Sequence, residues 1–130
     1  MTRPLIVVDA ANVVGSRPDG WWRDRHGATE RLRDRLAALA DQGLPDLNGP
    51  VEVVMIVEGR ARGVTSSPTV TTVPAAGSGD DRIVETVAEH PGRRRVVVTA
   101  DRELRQRVGA LGAEVIGPSA LESFTATGDV

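Results

Sequence analysis

Leu5-Ile6-Val7-Val8-Asp9 is an unbroken apolar run, three of its four members β-branched, closed by a carboxylate. A run that is apolar at successive positions rather than alternate ones reads as a strand covered on both faces, the kind found at the centre of a parallel sheet. The same pattern recurs along the chain. Val51–Val57 runs into Glu58, Val70–Val73 leads by a short loop to Asp80 and Asp81, and Val96–Val98 reaches Asp101. If these runs are strands of one parallel sheet, their C-terminal ends share an edge. Acids far apart in sequence then meet in the crevice where open α/β sheets bind ligands.

Composition bounds the reading. At 130 residues and 40% apolar, the chain suits one domain with a real core. It has no Cys and no stretch near the ~20 apolar residues of a membrane span. Asp9 interrupts the first run after four residues, so no charged-then-apolar leader is read. A soluble cytoplasmic protein is the expectation. The formal charge is −2, yet with Asp9, Glu58, Asp80, Asp81 and Asp101 set aside, 13 acids face 16 bases. Every base is Arg, whose guanidinium fork suits phosphate oxygens; a GC-rich genome produces the same bias.

Along the chain no repeat, low-complexity tract or interdomain linker appears. A loop of about 17 residues is expected after the first strand, carrying Gly15, Pro18, Gly20, Trp21 and Trp22, and its length invites a functional role. Leu32, Leu36 and Leu39 mark one face of a helix over Thr29–Ala40. Val51–Val57 is the second strand, and a third near Thr69–Val73 is more polar and suits an edge; Gly59–Pro68 between them holds no helical pattern. Ser78 opens a helix with a Ser-x-x-Asp capping box to Asp81, its apolar face Ile83, Val84, Val87 and Ala88. Val96–Val98 is the fourth strand. The next helix buries Leu104, Val108 and Leu111 until Gly112 ends it, and Val115–Ile116 makes a fifth strand before a helical turn around Ser119–Phe124. The order β-α-β-β-α-β-α-β-α is an α/β sandwich, read as one domain over residues 1–125 with a tail at 126–130.

Four or five carboxylates brought together repel one another, and a bound cation removes the conflict. Oxygen donors without Cys, and without a His placed to join them, call for Mg²⁺ or Mn²⁺ rather than Zn²⁺. Such an ion lowers the pKa of a bound water and neutralises charge developing on a phosphodiester. Asn12, three residues after Asp9, is placed to orient that water or a phosphate oxygen. Arg17, Arg23, Arg25, Arg60, Arg62, Arg82, Arg102 and Arg105 follow strands one, two and four or adjoin the Asp pair, and support a polyanionic substrate. Arg93–Arg95 precedes the fourth strand and reads as solvated or structural. Trp21 and Trp22 suit stacking on unpaired bases, worth ~1–3 kcal/mol each, or packing over the first helix.

Three segments together resemble a family. Val7-Val8-Asp9-Ala10-Ala11-Asn12-Val13-Val14-Gly15, Ser78-Gly79-Asp80-Asp81-Arg82-Ile83-Val84-Glu85 and Val98-Thr99-Ala100-Asp101-Arg102-Glu103-Leu104, with the later Gly112-Ala113-Glu114-Val115, resemble NYN domains, in particular the YacP-like branch of the PIN-domain-like nuclease superfamily. The resemblance spans nearly the whole chain. It implies a three-layer sandwich whose mainly parallel sheet has the order 3-2-1-4-5. It also implies a single-strand ribonuclease with one or two Mg²⁺ or Mn²⁺ ions, leaving 5′-phosphate and 3′-hydroxyl ends. Its implied partners are single-stranded RNA and, as a setting, the ribosome or other RNA-processing machinery. Asp9 and Asn12 match the first motif, Asp80 or Asp81 the helix-start acid, with Asp80 favoured because its offset to Ile83 fits the motif and Asp81 read as a helix cap, and Asp101 the acid after strand four. Glu58 stands where relatives often have Asp. PIN toxins place another acid on an early helix; Glu30 and Asp34 read as solvated charges, which disfavours a toxin.

Taken singly, an Asp at a strand end is often a turn or N-cap residue; the set of four argues for a metal site. His26 and His90 have no spaced partner and are assigned no catalytic role. Glu85 reads as solvent-facing or paired with Arg82. No phosphate-binding Gly-x-x-x-x-Gly-Lys loop or Gly-x-Gly-x-x-Gly fingerprint is present, and Ala11 stands where an aspartyl phosphatase needs its second Asp. The rival from another class is an RNA-binding adaptor whose acidic pocket is weakly active or inactive.

Overall fold

The computed structural model of the chain describes residues 3–121. β1 (Leu5–Asp9) leads directly into α1 (Ala10–Gly15), and a 3-10 turn at Trp21–Arg23 precedes α2 (Arg25–Arg35) and the short α3 (Leu39–Gln42). A hairpin of β2 (Gly43–Leu44) and β3 (Leu47–Asn48) follows, then β4 (Glu52–Val57), β5 (Val70–Pro74), α4 (Gly79–Ala88), β6 (Arg95–Val98), α5 (Arg102–Gly109) and β7 (Glu114–Ile116). The five long-range strands form one parallel sheet in the order β5-β4-β1-β6-β7. With the hairpin set aside, this is the predicted order 3-2-1-4-5. β1 lies at the centre, every residue buried, and the more polar β5 lies at an edge.

Strand alternation divides the core in two. Ile6 and Val8 of β1, Val53, Met55 and Val57 of β4, and Val96 and Val98 of β6 pack with Val13, Leu32, Leu36 and Leu39 from α1 to α3. Leu5 and Val7, Val54 and Ile56, and Val97 point the other way, onto Ile83 and Val87 of α4 and Leu104 and Val108 of α5. With a period of two, Asp9 at the end of β1, and Glu58 and Thr99 just beyond β4 and β6, continue the register of the α4–α5 layer. The fold therefore delivers two acids and a hydroxyl to one side of the sheet edge. Among the described residues no helix is long and apolar enough to cross a membrane.

Several local expectations are corrected. The expected long loop after the first strand is mostly helical: Asp9 accepts from the Asn12 N–H and caps α1, while buried Val13 and Val14 give that short helix its packing face. α2 begins at Arg25 rather than Thr29, because Asp24 accepts from the Gly27 N–H as its cap. Ser78 occupies the N-cap position of α4 without a side-chain bond, so the predicted capping box is not formed; the Gly79 N–H donates to Glu58 Oε2 at 2.7 Å instead. Leu111 is 39% exposed, beyond the end of α5, and Ala88 is exposed. Residues 118–121 enter a helix where one is predicted over Ser119–Phe124; the rest of that turn and the tail 126–130 lie outside the described residues.

The run Arg93–Arg95, expected to be solvated or structural, is paired at each position, with Arg94 exposed and Arg95 buried. Arg93 pairs with Glu52 at 2.7 Å, and Arg94 forms a bidentate pair with Glu114. Arg95 is buried and donates to the carbonyls of Val87 at 2.7 Å, Leu111 at 2.6 Å and Arg93 at 3.0 Å. Val87 closes α4 and Leu111 follows α5, so one guanidinium satisfies carbonyls at the negative ends of two helices. Arg95→Leu removes this donor from all three carbonyls, leaving Val87 with only the longer bond from the His90 N–H at 3.3 Å, and urea unfolding is expected to show a loss of about 3 kcal/mol. Arg95→Lys, lacking the fork, recovers only part of it.

Candidate functional site

Four acids gather where the parallel strands end. Asp9 comes from the tip of the central strand, Glu58 from the residue after β4, Asp80 from the first turn of α4, and Asp101 from the N-cap of α5. Asp9 is only 5% exposed. Its Oδ2 accepts from the Thr99 hydroxyl at 2.9 Å and its Oδ1 from the Asn12 N–H at 3.4 Å. Burial, with smaller contributions from the charges of Asp80 and Glu58, pushes its carboxyl up to about 6 despite these two hydrogen bonds. Burial and then the charges of Asp101 and Glu58 raise Asp80 as well, opposed by Arg107.

Asp101 plays two parts. Its Oδ1 caps α5 by accepting from the Leu104 N–H at 2.9 Å, and its own N–H donates to Thr99 Oγ1 at 3.2 Å. Thr99 thus links the acid of β1 to the acid of α5, a role the sequence reading missed. The signal was present: position 99 continues the alternation of β6 and follows its last apolar residue. Asn12 uses its carbonyl oxygen to accept from the Ala100 N–H at 2.9 Å, which leaves its amide NH₂ as the group offered to a ligand.

The two adjacent aspartates separate. Asp80 is electrostatically joined to Asp9, Asp101 and Glu58, whereas Asp81, with a side chain 72% exposed, pairs with Arg107 at 3.0 Å. Glu58 keeps one oxygen on the α4 N-terminus, a restraint that accounts for its place beside Asp80. Among the described residues no three Asp, Glu or His side chains are placed to hold a metal ion as a three-residue site. Mg²⁺ does not require one, since it retains several waters and binds through one or two carboxylates. Asp9, Asp80 and Asp101 supply the hard oxygen donors such an ion prefers.

The cationic and aromatic candidates fall into distinct places. Trp22 is 58% exposed and lines a surface groove with Arg23, Arg25, His26 and Arg60. Trp21 is half-buried against the core, with the Arg25 guanidinium 5.2 Å from its ring centre and Trp22 edge-on at 6.0 Å. Arg17 pairs with Asp19 at 3.5 Å. Arg62, Arg102 and Arg105 are exposed. Arg82 does not face the acids; it pairs with Glu85 and Glu89 along α4, which also gives Glu85 its predicted partner.

The buried Asp9 has a consequence for stability. Between the ordinary carboxylate pKa and about 6, the folded chain keeps a proton that the unfolded chain releases. Its contribution to stability therefore falls as pH rises through that window and is flat above it. In metal-free buffer, Asp9→Asn is expected to stabilise the fold by about 2 kcal/mol at pH 8. That gain should vanish at pH 4, where Asp9 is itself neutral in the fold; paired thermal melts at the two pH values check it.

No family model matches the chain. A UPF0178 protein from Bradyrhizobium sp. (strain ORS 278) is 41% identical over 66 residues, which cover 51% of this chain and 40% of that protein. The match thus spans less than half of the relative's length. Two solved structures of Rae1 (YacP) from Bacillus subtilis, one of them a mutant, are similar over 95% of this chain, with TM-scores of 0.76 and 0.75 and 16% identity. The similarity covers 74% and 76% of those chains respectively. At that identity the likeness is one of architecture: the chain has a YacP-like, PIN-like α/β fold, with its candidate acids at the C-terminal edge of the sheet.

Proposed function

We propose that this chain is a divalent-metal-dependent ribonuclease that hydrolyses phosphodiester bonds of single-stranded RNA, with Mg²⁺ or Mn²⁺ held by Asp9, Asp80 and Asp101. The observation that carries this reading is the convergence of acids from β1, α4 and α5, with Glu58 beside them, at one sheet edge where each raises or feels the charge of another. The YacP-like fold and the sequence resemblance to that branch of nucleases support it. In this reading the protein works in the cytoplasm, within reach of the ribosome or other RNA-processing machinery.

Bound there, the ion supplies an activated water and charge neutralisation at the phosphoryl oxygens. The chain's own groups set the geometry. Thr99 and the Asn12 N–H hold the Asp9 carboxylate in one orientation, which avoids reorganisation when the ligand arrives. Asp101 anchors α5 with one oxygen and presents the other. The Asn12 NH₂ is a donor for a phosphate oxygen, and Glu58 fixes the α4 N-terminus that carries Asp80. Arg102 and Arg105 on α5, and Arg62 beyond β4, are available to the flanking phosphates, whose contacts make binding sensitive to salt.

A second reading, an RNA-binding adaptor, is favoured by the groove of Trp22, Arg23 and Arg60, which includes none of the four clustered acids and whose one carboxylate is Asp24, the cap of α2. Cleavage of a 5′-labelled single-stranded RNA in Mn²⁺, Mg²⁺ or EDTA separates the two. Metal-dependent cutting is expected, reduced about 100-fold or more in Asp9→Asn and Asp80→Asn. Asp81→Asn, whose carboxylate faces Arg107, is expected to stay within about threefold of the parent. RNA binding without cutting in any metal would overturn the nuclease and leave the adaptor.

A further inference from the structure

A cavity of about 450 Å³ opens beside Glu58, within the ~300–1,000 Å³ typical of small-molecule sites. Ala10, Ala11 and Val14 of α1 give it a small-residue, apolar lining; Trp21 and Arg25 come from the α2 side, and Glu58 from the end of β4. The polar groups around it are few. The Thr29 hydroxyl is committed to the Arg25 carbonyl, whereas Glu58 uses only Oε2 on Gly79 and has Oε1 to offer. The Arg25 guanidinium lies over the Trp21 ring and the Trp22 ring stands perpendicular to it at 6.0 Å, so the Trp21 ring is oriented before any ligand arrives, which lowers the entropic cost of stacking.

Arg25 also lines the neighbouring groove of Trp22, Arg23 and Arg60. An aromatic surface with a carboxylate acceptor, adjoining a row of guanidinium groups, matches a planar base attached to a phosphodiester chain. We propose that this cavity is a nucleobase subsite: it takes one base of single-stranded RNA stacked on Trp21, Glu58 accepts from a base N–H, and Arg25 and Arg60 hold the adjoining phosphates. The inference rests on the nuclease reading for the identity of its ligand, and it explains why Trp21, one of the chain's rare aromatic residues, shares a cavity with Glu58. Fixing the base next to Glu58 sets which phosphodiester reaches the acids.

The test uses the full chain in EDTA, so that binding is read without cleavage. Trp22→Phe leaves Trp21 as the sole indole, since the chain has two Trp. Titration with AMP is expected to quench Trp21 fluorescence saturably, and ribose 5-phosphate is not. Two variants fill the cavity in that background: Ala11→Leu from α1, and Gly77→Leu, whose added Cβ meets no atom within 4 Å. Each is expected to weaken AMP binding about tenfold or more, at a melting temperature that verifies folding. Absence of AMP quenching, equal quenching by ribose 5-phosphate, or unchanged affinity in both folded variants overturns the subsite. RNA cleavage measured on the same proteins keeps the two proposals apart. Cutting with an unaltered KM in both variants sinks the subsite alone, while AMP binding lost in both variants, with no cutting by the parent in any metal, sinks the nuclease alone.

Discussion

The costliest placement in this molecule is the Asp9 carboxylate, buried at the tip of the central strand with other acids as its nearest charges. A buried ion is ordinarily paired with an opposite charge or neutralised. Asp9 has a hydroxyl and a backbone N–H instead, enough to orient it and too little to keep its pKa in the usual range. Surroundings that penalise a charged form mark sites where stability has been given up for chemistry. The neighbouring elements are arranged around that one group: Thr99 beside it, α1 capped by it, and the first turns of α4 and α5 turned toward it.

Holding four acids at one edge requires that their carriers not splay apart, and the restraint is distributed. At the site itself, Asn12 ties the start of α1 to the loop before α5, and Glu58 ties the end of β4 to the start of α4. At the far end of the same two helices, Arg95 gathers carbonyls from the close of α4 and from just beyond α5. Charges at the helix N-termini are thus opposed by a single cation at their C-termini. The sheet between them is rigid in the ordinary sense of a close-packed apolar core.

The fold was legible because its strands are nearly pure apolar runs. Leu5–Val8, Val51–Val57 and Val96–Val98 have no competing helical reading, and each ends at a polar residue that marks the sheet edge. Asp9, Asp80 and Asp101 could be read for the same reason. What escaped were features set by tertiary contacts. α1 has six residues, too few for periodicity to reveal, and it exists because Asp9 caps it and the core receives Val13 and Val14. The Ser78 capping box was a sound local reading that the fold does not use; the first N–H of α4, from Gly79, goes instead to Glu58, 21 residues earlier in sequence. The motif favoured Asp80 over Asp81 by its offset to Ile83, but the pairing of Asp81 with Arg107 was not legible, since it depends on how α4 packs beside α5. Thr99 and Arg95 look ordinary in sequence; only strand parity and the convergence of two helix ends give them their work.

The Thr99–Asp9 hydrogen bond joins residues 90 positions apart, and the Asn12–Ala100 bond spans 88. The central strand is made early, yet the partner that completes its acid arrives only when β6 docks, after most of the chain exists. Contacts so distant in sequence form late, because they require long stretches of chain to be ordered first. A ribosome making this protein therefore releases no partly assembled pocket along the way. Shortened products that end before β6 keep the Asn12 N–H on the leading acid but lack the Thr99 hydroxyl, and the order of translation itself leaves the acid cluster incomplete until the fold is nearly finished.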